Sequence, residues 1–134
     1  MKTNLFTVEK PIIALLHLDA LPGDPLYEGS MDLVISHARE DLHNLQDGGV
    51  DGVLFSNEFS FPYEDGVSHI TSSSISYIIG KLRDEITIPF GIQVIADNTA
   101  SLEVAAACEA DFIRGVFTGH ILTKTDTFRA ILLN

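Results

Sequence analysis

Four short stretches each set an ionisable or amide side chain just past an apolar run: HLD at 17–19, SNE at 56–58, QVIADN at 93–98 and RGVFT at 114–118. Glu58 directly follows VLFSN and suits a general base or, together with Asp97, a ligand to a hard cation. Metal binding is the lesser of these readings, because no tight His/Asp spacing calls for it. His17 is either an acid–base group or a partly buried ring bonded to a loop carbonyl. Asn57 offers a directed amide for a sugar hydroxyl, a use that competes with its ordinary place in turns. Arg114, in the middle of DFIRGVF, is out of place in a buried strand. Its charge must meet an anionic ligand or a carboxylate, with Glu58 and Asp97 the natural partners. Asp19 stands next to His17 as a substrate contact, although it and Asp24 flank Pro-Gly and Asp-Pro pairs whose turns a carboxylate can cap.

The remaining candidates have plainer readings. His37 and His43 fall in a charged helix face and are expected to be solvated, His69 in a loop and His120 in the last stretch of the chain. Cys108, the one cysteine, lies in SLEVAAACEA and is expected to be a small packed residue and not a nucleophile. QDGGVDG resembles a phosphate loop only superficially, since its glycines precede a strand where such a loop follows one.

These groups need elements that bring them to one place. PIIALLHL (11–18) is an unalternating apolar run of strand length, the pattern of a strand covered on both faces. MDLVISHAREDLHNLQD (31–47) has apolar residues at helical spacing, Ser30 as N-cap and Gly48 or Gly49 as its stop. VDGVLFSN (50–57) is a second strand and TSSSISYIIGKLRDE (71–85) a second helix, weakened a little by Gly80. PFGIQVIA (89–96), TASLEVAAACEA (99–110) and DFIRGVF (111–117) complete a β-α-β-α-β-α-β order. That alternation implies a parallel α/β sheet with right-handed crossovers. Ligands of such sheets bind at the carboxyl ends of the strands, where this sequence concentrates its polar groups; the opposite ends, at Val50, Pro89 and Phe112, read as mostly apolar.

The composition is that of a globular protein, with 46% hydrophobic and 20% charged residues. A net charge of −11, from 8 basic and 19 acidic residues, argues against nucleic acid or an anionic lipid surface as partner. The apolar runs are too short to span a bilayer. The opening MKTNLFTVEKP has no apolar core of a secretory leader, and one cysteine suits a reducing compartment, so a cytoplasmic location is expected.

KPIIALLHLDALPGDPLYEG, LQDGGVDGVLFSNEFSFPY and ITIPFGIQVIADNTASLEVAAACEADFIRGVFTG together resemble the BtpA family, and within it the SgcQ-like, sugar-operon branch. The likeness runs from residue 8 to about 119, with 120–134 an atypical tail. It implies a TIM-type (β/α)8 barrel of which the chain carries the N-terminal half, as a single partial barrel domain. It further implies either an enzyme of sugar or nucleoside metabolism or a non-enzymatic factor of photosystem I biogenesis. The family's recurring rim positions fall on His17, Pro22, Gly23, Asn57, Glu58, Pro62 and Arg114; at the third strand end the sequence departs from the family pattern with Ala96, Asp97 and Asn98. A closed barrel takes about 250 residues, so the expectation is a truncated chain, itself inactive, with open sheet edges that favour self-association. His17 and Glu58 are then the expected catalytic residues, with Asp19, Asn57, Asp97 and Arg114 around a small sugar-type or nucleoside ligand; the cofactor is unknown from the sequence.

Overall fold

The computed structural model describes residues 5–117; Thr118, His120 and the tail lie outside the described residues. The strands are β1 (Ile13–His17), β2 (Gly52–Ser56), β3 (Phe90–Gln93) and β4 (Phe112–Ile113), and the helices α1 (Met31–Asp47), α2 (His69–Leu82) and α3 (Asn98–Cys108). All four strands are parallel and stand in sequence order β1-β2-β3-β4. Each helix carries the chain from one strand to the next, which is the winding of a barrel wall. The expected order of elements holds throughout.

Local signals explain the boundaries. Ser30 is extended and its Oγ accepts the Leu33 N–H at 3.2 Å, while Gly49, at φ +81°, turns the chain out of α1. α2 begins at His69, two residues before the expected Thr71, and its last turn tightens into a 3-10 helix over Arg83–Glu85. Gly80 does not interrupt it. Glycine costs a helix about 1 kcal/mol, whereas Ile75, Ile78, Ile79 and Leu82 are all fully buried and each contributes roughly 1.5–3 kcal/mol. α3 starts where the Asp97 carboxylate accepts the Ala100 N–H at 2.8 Å.

Strand alternation divides the sheet into two faces. Leu16, Val53, Phe55, Phe90, Ile92 and Ile113 enter the core under the helices, together with Leu42 and Val104. Their strand neighbours Leu15, Leu54, Gly91 and Phe112 turn to the opposite, inner face. The Phe112 ring occupies the space a Cβ at Gly91 would need, so only glycine fits there. Of the apolar side chains on this inner face, one is left open to solvent. Leu54 and Phe112 are buried, but Leu15, on the edge strand, is 42% exposed.

The amino ends of the strands correct the expectation of an apolar rim. Asp51 accepts the Ile12 N–H at 2.8 Å and Asp111 accepts that of Phe90 at 2.9 Å. Strand-entry N–H groups beyond the reach of the ladder need acceptors, and short carboxylates supply them. Among the described residues no helix is long and apolar enough to cross a membrane.

Candidate functional site

The ladder register assembles a row of polar side chains that crosses the whole sheet. His17 pairs with Ser56, and Ser56 with Gln93. One step past the Ile92–Ile113 pair, Arg114 follows Gln93, and its Nε donates to Gln93 Oε1 at 2.8 Å. Each of the four is the neighbour of a residue in the helix-side core, so alternation turns all four to the inner face. The layer beneath is Leu15, Leu54, Gly91 and Phe112, an apolar floor under a polar top at the carboxyl ends of the strands.

Glu58 joins the row at its His17 end. Its Oε2 lies 3.7 Å from His17 Nδ1, an ion-pair distance a little beyond a hydrogen bond, and the two side chains are 41% and 32% exposed. The Phe59 ring stands edge-on to the imidazole, 6.5 Å between centres. Ser56, between His17 and Gln93, is fully buried, and its Oγ has no hydrogen-bond partner among the described residues. A buried hydroxyl without a partner costs about 1–3 kcal/mol. A row that holds a base, its carboxylate, an amide, a guanidinium and an unspent hydroxyl can take up a small polar molecule and exchange protons with it.

Other expected site residues have different employment. Asn57 points away from the row: it is 1% exposed, and its Oδ1 accepts the Ile95 N–H at 2.8 Å, which ties the ends of β2 and β3 together. Asp97 does not approach Arg114. Its carboxylate accepts the Ala100 N–H at 2.8 Å and the Val67 N–H at 3.0 Å, and these bonds, Ala100's foremost, hold its pKa below the usual carboxylate value. Arg114 is exposed and neither buried nor paired with Glu58 or Asp97, so the cost of a buried charge never arises. Asp19 bonds across to α1, where its Oδ2 meets His37 Nδ1 at 2.6 Å and raises the histidine's pKa. His37 and His43 are therefore not merely solvated; His43 Nε2 reaches Glu85 Oε1 at 2.9 Å beside Arg39. Ser56 and Gln93 are legible in the sequence as strand-end groups but carry no assigned role there. Counting alternate positions back from the apolar residues of each strand places both on the inner face.

Two cavities flank the rim. One of about 220 Å³ lies between the loop after β1 and the loop after β2, lined by Asp24, Asn57, Ser60, Tyr63, Glu64 and Thr71 among others. Gly23, at φ +97°, makes the turn on its wall, and Asp24 Oδ2 accepts both the Leu21 N–H and the Ser60 hydroxyl at 2.6 Å. The other, about 230 Å³, is bounded by Asp19, His37, Leu33 and Phe59. No group of three or more His, Cys, Asp or Glu side chains among the described residues could hold a metal ion. Cys108 is partly buried, and burial pushes its thiol pKa up, as suits a packing residue.

With this geometry in place, comparison with known proteins is informative. The sequence profile described as the BtpA family matches residues 8–129. The sgc region protein SgcQ of Escherichia coli K12 is 50% identical over 113 residues, 83% of this chain and 42% of that protein. An uncharacterized protein of Pyrococcus horikoshii is 39% identical over 116 residues, 85% of this chain and 45% of that protein. The photosystem I biogenesis protein BtpA of Synechocystis is 32% identical over 121 residues, 88% of this chain and 42% of that protein. The chain thus spans somewhat under half the length of these relatives. No solved structure matches it significantly.

Proposed function

The chain belongs to the BtpA family, and from that premise we propose that the carboxyl-end rim of its sheet binds a small polar ligand of sugar or nucleoside type, and that the rim moves protons on it only in a protein of its relatives' full length, this chain alone being inactive. The observation that carries the proposal is the row His17–Ser56–Gln93–Arg114, with Glu58 at its end. In this reading Glu58 holds the His17 ring by Nδ1, which leaves Nε2 to take a proton from the ligand. Arg114 and Gln93 steady the oxygen on which negative charge then gathers, the guanidinium by charge and the amide by its N–H groups. Ser56 supplies a hydroxyl that the ligand completes. In the protein at the full length of its relatives, this half of the rim would work together with residues of the remainder.

A thermal-shift screen of the chain against monosaccharides and nucleosides tests this. Ligand at a hundredfold its Kd stabilises by about 2.7 kcal/mol, a readable rise in Tm. We expect such a rise with at least one polyhydroxylated compound, and its loss in Glu58→Gln and in His17→Ala. A wild-type chain that responds to none of them, or variants that respond unchanged, would sink the proposal.

A second reading follows the printed name of the Synechocystis relative and makes the chain a biogenesis factor with no chemistry at the rim. It predicts that both variants keep full function in a cell that depends on the protein. We assign the protein to the cytoplasm on its single cysteine. We further propose that copies associate through β1 and β4, each of which has one sheet neighbour among the described residues.

A further inference from the structure

The cavity beside the rim contains groups that neither the fold nor the His17–Glu58 pair uses. Asn57 is the clearest. It is 1% exposed, its Oδ1 is spent on the Ile95 N–H, and its Nδ2 has no partner among the described residues. A primary amide held by one end presents a fixed donor to the cavity it lines. Ser60 is fixed in the opposite sense. Its hydroxyl proton goes to Asp24 at 2.6 Å, so its lone pairs are what remain to accept. Glu64 adds a carboxylate acceptor. The aromatic wall is anchored at both sides: the Tyr63 hydroxyl donates to the Glu58 carbonyl at 2.8 Å and its ring packs on Phe61 with 4.5 Å between centres.

A fixed donor, oriented acceptors and an aromatic face match a ring that carries several adjacent hydroxyls and an apolar face of C–H bonds. An anion fits badly, because Asp24 and Glu64 line the cavity and no lysine or arginine among the described residues does. Size narrows the class further. At about 220 Å³ the space is below the ~300–1,000 Å³ of sites that take drug-sized ligands, so it holds one small ring. Its position relative to the rim is fixed by the chain, since Asn57 precedes Glu58 and Tyr63 is bonded to Glu58's carbonyl.

We propose that this cavity is a subsite for a neutral monosaccharide ring, with Asn57 Nδ2 as hydroxyl donor, Ser60 and Glu64 as acceptors and Tyr63 as the stacking wall. It rests on the reading of the rim as a ligand site and specifies it: the ligand has a ring in the cavity and a reacting part at His17–Glu58.

The test is a titration of the ¹⁵N-labelled full chain with D-ribose, D-glucose, D-galactose and inorganic phosphate, followed by amide shifts. Expected are saturable shifts with a sugar, centred on Ser60, Tyr63, Glu64 and Thr71, and none there with phosphate. Glu64→Gln and Tyr63→Leu should each weaken that sugar roughly three- to tenfold, the worth of one hydrogen bond or a comparable contact. Asn57→Asp keeps the acceptor for Ile95 N–H but replaces the donor, and should abolish the shifts while the rest of the spectrum stays folded. Shifts confined to His17, Gln93 and Arg114 would overturn the subsite and leave the rim reading standing. Shifts confined to residues 60–71 would leave the subsite standing and overturn the rim reading. No response to any sugar up to about 50 mM, weaker than any useful affinity, or equal affinity in Glu64→Gln and Tyr63→Leu, would also overturn the subsite.

Discussion

At the amino ends of the strands Asp51 and Asp111 close the backbone N–H groups of Ile12 and Phe90, and Gln46 closes Thr87 while its own amide reaches the Glu85 carbonyl. Glu85 there takes Arg39 and His43 together. At the carboxyl ends, by contrast, Ser56 Oγ and Asn57 Nδ2 have no partner among the described residues, and His17 and Glu58 stand 3.7 Å apart. Both ends are rich in polar side chains, so polarity does not distinguish them. What differs is whether the hydrogen-bonding capacity is already spent. A saturated group stabilises the fold, and a group left unspent costs stability unless something else engages it. Among the described residues Arg83 is the one buried group toward the amino end with an unspent donor, its Nε, and its guanidinium lies over the Phe90 ring at 5.3 Å, a use of its own.

Asp97 is the sharpest challenge to this contrast, because it sits at the carboxyl end yet is saturated. Asp97→Ala removes the α3 cap and orphans the Val67 N–H, and should cost about 2–3 kcal/mol in urea denaturation. Asp97→Asn, which keeps an acceptor oxygen, should cost much less. Equal stability of Asp97→Ala and wild type would return Asp97 to the list of site residues.

Next in size is a comparison of two fully buried serines. Ser101 Oγ accepts the Val94 N–H at 2.8 Å and can donate to the carbonyl of Val94 or Asp97, whereas Ser56 Oγ has no partner among the described residues. Ser101→Ala should therefore destabilise by about 1–2 kcal/mol, and Ser56→Ala should change stability by no more than ~0.5 kcal/mol or raise it. A substantial loss in Ser56→Ala would break the contrast between spent and unspent groups.

The smallest effects come from pH. The pKa of Glu85 is lowered chiefly by its bond to Arg39, and that of Asp97 by the Ala100 N–H. Their contributions are present above the ordinary carboxylate range and are lost as pH falls through the lowered values. His37 runs the other way. Its pKa is raised by the Asp19 bond, so its contribution is complete below the ordinary histidine value and fades as pH rises through the raised one. Tm followed from pH 3 to 9 should fall at the acid end in wild type, and His37→Ala should remove only a slight decline above neutrality. His37 is exposed and Glu85 and Asp97 are half-buried, so solvent screens all three in part and the slopes should be shallow. A steep alkaline decline that survives His37→Ala would assign it elsewhere.

Much of the fold was legible because hydrophobic periodicity and caps act locally. The runs PIIALLHL and VDGVLFSN, the Ser30 cap and the Gly48–Gly49 stop mark strands and a helix without reference to anything distant. His17 and Glu58 were legible as candidates for the same reason, since strand ends are where such sheets bind ligands. The partners of Asn57, Asp97 and Arg114 were not legible, for a common physical cause. The direction of a side chain at a strand end depends on its parity, and its freedom depends on which backbone groups lie nearby. Ile95, Val67 and Gln93, the partners in question, are 38, 30 and 21 residues away in sequence.

The sequence by itself therefore determined a parallel α/β wall with a polar carboxyl rim, because burial patterns and helix caps are written in neighbouring residues. Only the tertiary structure decided which rim groups are spent. The register that sets His17 beside Ser56, Ser56 beside Gln93 and Gln93 beside Arg114 comes from pairing between strands, and so does the capture of Asn57 and Asp97 by distant N–H groups.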